Sequence, residues 1–265
     1  MTLTRVSADA ADLAARAAEI VAAALGTALA ERGRAVVVLA GGDTPRAAYA
    51  RLAVLLRRGN LPLDGIDWLP GDERWVPVDH PDSNEGMIRR ALLEPAGAPG
   101  RTLHSWLPAA GDPADCAARF GAALADGPLA AGPDLALLGI GADGHTASLF
   151  PDAVALLPGG RETPVGPDLP VDAVAVRRAA LGPALDPSMA PGVRLTLTPK
   201  WLGMARCVAF LAAGSGKREA LARALRGDRA VPAAWIRGTA DTLFLVDRAA
   251  AGPGPDATGR DVRYA

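Results

Sequence analysis

Residues 139 to 150 read GIGADGHTASLF and place one of the chain's three histidines among glycines and hydroxyls, just past the apolar run PDLALL. Imidazole is the side chain best matched to proton transfer near neutral pH. His145 is therefore a candidate general base, and Asp143, two residues before it, a candidate partner. A capping turn in which His145 only bonds backbone is the structural alternative. The Gly-x-Gly-x-Asp-Gly-His setting favours a site, because glycines let a loop lie close to a ligand.

Three further clusters carry chemistry. PGDERWVPVDHPDSN, residues 70 to 84, crowds four acids, one arginine and one histidine together. Its functional reading makes Asp72 an orienting or basic carboxylate. Arg74 becomes an anion clamp, since its planar fork matches phosphate. His80 has a structural hydrogen-bonding role, and the plain alternative for the whole stretch is a solvated loop with a helix cap. LAGGDTP, residues 39 to 45, runs from a strand through glycines into a helix. The backbone amides of Gly41, Gly42 and Thr44 at a helix start suit a phosphate. A Gly-Gly turn capped by Asp43 or Thr44 is the structural alternative. The stretch is neither a Walker A loop nor a G-x-G-x-x-G fingerprint. In AAGSGKRE, residues 212 to 219, Lys217 stands in a first helical turn, where it could reach an anion or simply be exposed. Lysine is rare here: of 28 cations only Lys200 and Lys217 are lysines.

Each cluster needs a strand before it, and the chain supplies one. A helix spans about 8 to 31, ending near Gly33. AVVVLA at 35 to 40 is a buried strand, followed by a helix with Pro45 in its first turn. IDWLPG, TLHSW, DLALLGIG, VDAVAVR, VRLTLT, CVAFLAAG and TLFLVD read as further strands. SNEGMIRRALLEP (capped by Ser83 or Asn84), PADCAARFGAALAD, PKWLGMA and SGKREALARALRG read as helices. PDAVALLPGGRETPVGPDLP, residues 151 to 170, reads as a surface loop. The alternation predicts an α/β fold with a mostly parallel sheet covered on both faces, and ligands beyond the carboxyl ends of its strands. Residues 1 to 250 are expected to form a single α/β domain, with 251 to 265 a flexible tail.

The bulk properties bound the partners. The 265 residues carry a formal charge of −1, and mean hydropathy is slightly positive at +0.16. No net positive field attracts nucleic acid or an anionic membrane. The Ala-rich stretch 10 to 30 carries Asp12, Arg16 and Glu19, so it is an amphipathic helix rather than a signal or membrane span. Cys116 and Cys207 read as free thiols, which suits the cytoplasm. The oligomeric expectation is a monomer or small homo-oligomer.

Taken together, AGGDTP, GDERWVPVDHPDSN, GIGADGHTASLFP, RLTLTP and GSGK resemble the 6-phosphogluconolactonase family in order and spacing, from about Val36 to Asp247. The resemblance implies a three-layer α/β/α sandwich, Rossmann-like, shared with glucosamine-6-phosphate deaminases and ribose-5-phosphate isomerase. It implies hydrolysis of 6-phospho-D-glucono-1,5-lactone to 6-phosphogluconate, with a small-molecule sugar phosphate lactone as partner and no metal or organic cofactor. The expected site is then His145, Asp143, Asp72 and Arg74 for catalysis, with Gly41, Gly42, Thr44, Arg74 and Lys217 for the phosphate. Two departures stand out. The family loop Ser-Gly-Gly-Ser-Thr-Pro has Ala40 and Asp43 here, so two hydroxyl donors are gone and an acid stands beside the expected phosphate. The usual proline before Asp143 is Ala142.

The rivals are a deaminase or isomerase of the same fold and a non-catalytic sugar-phosphate sensor. The deaminases follow Gly-His with an acidic segment, whereas this chain has TASLFP with no acid before Asp152. The sensors usually accompany a DNA-binding segment, for which no helix-turn-helix pattern is evident. No Gly-x-Ser-x-Gly elbow is present, which disfavours a serine acyl-enzyme and makes Ser148 a turn hydroxyl.

Overall fold

The computed structural model describes residues 1–106, 111–178 and 192–253, and the backbone of 262–263. The 23-residue helix α1 (Ala10–Arg32) starts where Asp9 accepts the amides of Ala11 and Asp12. It ends at Gly33 in the left-handed region, which satisfies a terminal carbonyl without Cβ strain. By length and composition α1 could cross a membrane, yet Leu13, Ala17, Val21 and Leu25 on one face are buried in the core of this fold.

Seven strands form the main sheet: β1 (Thr2–Ser7), β2 (Ala35–Leu39), β3 (Ile66–Pro70), β5 (Leu135–Gly139), β10 (Cys207–Ala212), β11 (Asp241–Asp247) and β12 (Val262–Arg263). Their order is β12-β1-β11-β10-β5-β2-β3, parallel throughout except for β12. Burial alternates with the strand period of two. Val36 and Val38 of β2 enter one apolar cluster, while Ala35, Val37 and Leu39 enter the other. The second cluster lies under α1, α2 (Asp43–Gly59) and the helical run α3 (Asn84–Ile88), a π turn (Arg89–Leu93) and α4 (Glu94–Ala96). The first takes in α5 (Pro113–Leu124), α6 (Pro199–Leu202), α7 (Arg218–Leu225) and Ala250 of α8 (Arg248–Ala251). This is the expected three-layer α/β architecture.

The outer layer also holds something the sequence pattern did not announce. β4 (Asp72–Arg74), β6 (Ala153–Leu157), β7 (Arg161–Pro164), β8 (Ala173–Arg178) and β9 (Val193–Leu197) form a second, antiparallel sheet in the order β4-β9-β8-β6-β7. Residues 151–170, expected as a surface loop, therefore contain a hairpin. Pro158, Gly159 and Gly160 are its turn, and Leu157 pairs with Arg161. The two strands expected at 171–177 and 193–198 belong to this second sheet. TLHSW, expected as a strand, makes only the bridge between Leu103 and Trp68. β1, unexpected, pairs with β11 along its whole length. Val262–Arg263, placed by sequence in a loose tail, pair antiparallel with β1; residues 254–261 of that tail lie outside the described residues.

β2 leads to β3 on one side, while β5, β10 and β11 build outward on the other. The chain reverses its winding between β2 and β5, and at such a switch point the loops leaving adjacent strands diverge and open a crevice. All four chemical clusters leave the carboxyl ends of the adjacent strands β3, β2, β5 and β10.

Candidate active site

A cavity of about 230 Å³ sits at that crevice. Its lining includes Gly41, Gly42 and Thr44 after β2, Asp72 and Arg74 after β3, His145 after β5 and Lys217 after β10. Seven of the eight residues expected from sequence thus share one cleft, and Asp143 reaches it through His145.

The loop after β5 closes on itself. The Gly141 amide donates to the His145 carbonyl at 2.8 Å, and the Gly144 amide to Gly141 at 3.0 Å. A Cβ at Gly141 would collide with the His145 ring and the Asp143 carboxylate, so only glycine lets the three residues fold together. His145 Nδ1 lies 2.5 Å from Asp143 Oδ1, and the His145 amide donates to the same oxygen at 3.2 Å. The hydrogen bond from the His145 ring chiefly holds the Asp143 carboxyl far below the usual carboxylate range, and the charge of Arg178 adds to it. Arg178, at the end of β8, was not singled out from sequence. Its Nη2 is 3.4 Å from Asp143 Oδ2, and its guanidinium lies 4.5 Å over the Phe150 ring, itself 4.6 Å from the His145 ring. The imidazole therefore has one nitrogen committed to a carboxylate while its side chain stays 32% exposed.

Asp72 is fixed differently. Its Oδ1 accepts from Asn84 Nδ2 at 3.0 Å and its Oδ2 from the Ser148 hydroxyl at 2.6 Å. It makes no hydrogen bond to His145 among the described residues, so the geometry gives the orienting contact to Asp143. Ser148 is buried and engaged, which fits a structural hydroxyl. Asn84, considered from sequence only as a cap, lines the cleft, while Ser83 caps α3 by accepting the Gly86 amide. Beneath them, fully buried Glu73 accepts the amides of Arg74, Asn84 and Glu85 and the Ser83 hydroxyl. Burial raises its carboxyl, and those donors work against the rise. His80 accepts the Asp82 amide at Nδ1, the structural role expected of it.

At the start of α2 the cap is Gly42, and no side chain bonds the free amides. Asp43 and Thr44 do not cap, contrary to the structural alternative. Asp43 also lines the cleft; its side chain is 90% exposed and pairs with Arg46 at 2.8 Å. Its charge is thus matched by Arg46, and the uncapped amides at the positive end of a 17-residue helix border the cleft. Lys217 is placed by the turn after β10, where Asp247 of β11 accepts the Gly214 amide with both oxygens, at 3.0 and 3.1 Å.

Fold and cleft together define a three-layer α/β protein with a histidine–aspartate pair, two cationic side chains and an uncapped helix start gathered at its switch point. Residues 8–245 match the family described as Glucosamine-6-phosphate isomerases/6-phosphogluconolactonase. The chain is 37% identical over 231 residues to a 6-phosphogluconolactonase of Synechocystis sp., covering 84% of this chain and 86% of that protein. It is 38% identical over 228 residues to one of Pseudomonas putida, covering 83% and 82%. The crystal structure of 6-phosphogluconolactonase from Thermotoga maritima superposes with a TM-score of 0.73 at 26% identity, covering 94% of this chain and all of that one. The chain belongs to the glucosamine-6-phosphate isomerase/6-phosphogluconolactonase family, as its motifs led us to expect.

Proposed function

We propose that this protein hydrolyses 6-phospho-D-glucono-1,5-lactone to 6-phospho-D-gluconate, a step of the pentose phosphate pathway, with His145 as general base. The observation that carries this reading is the convergence of the His145–Asp143 pair with Arg74, Lys217 and the open start of α2 on one cleft. The lactonase relatives supply the substrate.

The chemistry follows from the geometry. Nδ1 donates to Asp143, so Nε2 holds the free lone pair. A water oxygen bonds to the lactone carbonyl carbon as its proton passes to Nε2. The resulting oxyanion collapses, the bond to the ring oxygen breaks, and Nε2 returns the proton to that oxygen. The ring opens to a carboxylic acid, which ionises in water. Asp143 stabilises the imidazolium between the two transfers. A δ-lactone is an activated ester, so no stronger nucleophile is needed. Asp72, locked by Asn84 and Ser148, orients water or a sugar hydroxyl with its remaining lone pairs. Gly41, Gly42, Thr44, Lys217 and Arg74 hold the phosphate. Cys116 and Cys207 form no disulfide, which fits a cytoplasmic setting.

The deaminase rival needs an acid to open a sugar ring. The first after His145 is Asp152, which binds Arg178 Nε at 3.1 Å. The test is lactone consumption against the spontaneous rate, with ammonia release from glucosamine 6-phosphate measured in parallel. Lactone loss well above background without ammonia is expected. Ammonia release would establish the deaminase, and tight 6-phosphogluconate binding with no lactone turnover would establish the sensor.

A further inference from the structure

The strand register puts two arginines side by side. In the antiparallel pair β4–β9, Asp72 stands opposite Thr196, Glu73 opposite Leu195 and Arg74 opposite Arg194. Side chains alternate across a sheet. Glu73 and Leu195 are both fully buried on one face. Asp72, Arg74, Arg194 and Thr196 share the other, and that face meets the cleft: Asp72 and Arg74 line it, and Thr196 Oγ1 accepts the amide of Ser148, whose hydroxyl binds Asp72.

Like charges directly opposite one another destabilise a sheet pair. Among the described residues neither arginine forms an ion pair with a carboxylate. Arg74 donates from Nη1 to the Asp82 carbonyl, and its Nε is buried without a partner. The Arg194 side chain makes no hydrogen bond or ion pair with any described residue. Burial chiefly, and the charge of Arg74 next, hold its guanidinium below its ordinary range. The carboxylates that offset this are Asp72, Asp82 and Glu73. Glu73 is already saturated by four donors, and Asp72 is held by Asn84 and Ser148. Two forked cations with donors to spare, one on the wall of a cleft and one beside it, form a half-built anion site.

We propose that Arg194 is a further substrate-binding residue, which together with Arg74 grips the phosphate of the sugar ester. The inference rests on the proposed lactonase reading, and it adds a second strand of the antiparallel sheet to the binding machinery. That sheet then serves the site directly: β9 carries a phosphate ligand to the cleft edge where β4 carries the first.

The test uses equilibrium binding, which requires no turnover. 6-Phosphogluconate is titrated calorimetrically into the full-length protein, its Arg194→Gln variant and its Arg194→Lys variant, with inorganic phosphate as a competing probe. Losing a charge-assisted contact predicts that Arg194→Gln weakens both 6-phosphogluconate and phosphate by about 10- to 100-fold. Arg194→Lys, which keeps the charge but not the fork, is expected to lose less, and it serves should the glutamine variant fail to fold. Unchanged affinity for both probes would overturn the proposal. So would loss of 6-phosphogluconate with phosphate unaffected, which would put Arg194 on the sugar or carboxylate instead. A wild-type protein that binds 6-phosphogluconate yet hydrolyses no lactone would defeat the lactonase reading while leaving the arginine pair standing.

Discussion

Asp143 meets the His145 ring at 2.5 Å and Arg178 at 3.4 Å, and both contacts favour its ionised form. With the folded carboxyl lowered from its ordinary 3.8, its contribution to stability is complete above that value and lost as pH falls through the lower folded one. In an assay near neutrality Asp143 therefore stays anionic, so an acid limb in kcat/KM does not report its protonation. Asp143→Asn removes the charge that stabilises the imidazolium and can select the wrong tautomer. We expect kcat to fall by up to about 10⁴-fold while 6-phosphogluconate binding persists; loss of binding with kcat intact would reverse the assignment. At this scale the sequence was informative where glycines and a histidine marked one loop. Asn84 stood inside the 70–84 cluster but read there only as a cap, and Arg178 was not legible, because it reaches Asp143 from a strand far along the chain and a chain rich in arginine gives no single one prominence.

The elements bring the residues to the cleft, and their caps and turns set the aim. Asp247 accepts the amides of both Gly214 and Ala250, tying the Lys217 turn to α8. Asp247→Ala orphans these donors. It should cost about 1–2 kcal/mol of stability and raise KM more than it lowers kcat, read from thermal melts and steady-state kinetics. A change in kcat alone would mean that the turn does not aim Lys217 at ground-state phosphate. A Cβ at Gly41 would strike the Asn84 side chain, so Gly41→Ala should disturb both the Gly41–Thr44 loop and the Asn84–Asp72 bond, raising KM as well. Strands followed by glycine and a helix were readable from their apolar runs. The antiparallel sheet was not, for two physical reasons. β4 is only three residues of charged sequence, and its pairing with β9 spans more than a hundred residues. The β6–β7 turn is Pro-Gly-Gly, whose composition marks a loop as readily as a hairpin.

Across the whole molecule the switch between β2 and β5 decides where the cleft opens, and the rest of the sheet must hold that geometry. One fastening lies at the opposite, amino-terminal side of the strands. Asp67 of β3 binds His104 Nε2 at 2.8 Å and Arg34 Nε at 2.8 Å. These bonds and charges oppose burial and leave its carboxyl lowered from the ordinary 3.8. Its contribution is thus present above that pH and lost as pH falls through the folded value. Asp67→Asn should cost about 1–2 kcal/mol at pH 7, discounted because Arg34 is 43% exposed, and less near pH 3. Denaturation curves at the two pH values check this, and an equal loss at both would deny the ionic origin. The central claim is that this assembled cleft uses the imidazole to make water attack a lactone. It is tested most directly by comparing wild type and His145→Ala for 6-phosphogluconolactone turnover above the spontaneous rate, with 6-phosphogluconate affinity measured on the same samples. We predict a loss of about 10²- to 10⁴-fold in kcat with affinity preserved; turnover near that of wild type in the variant would contradict the account.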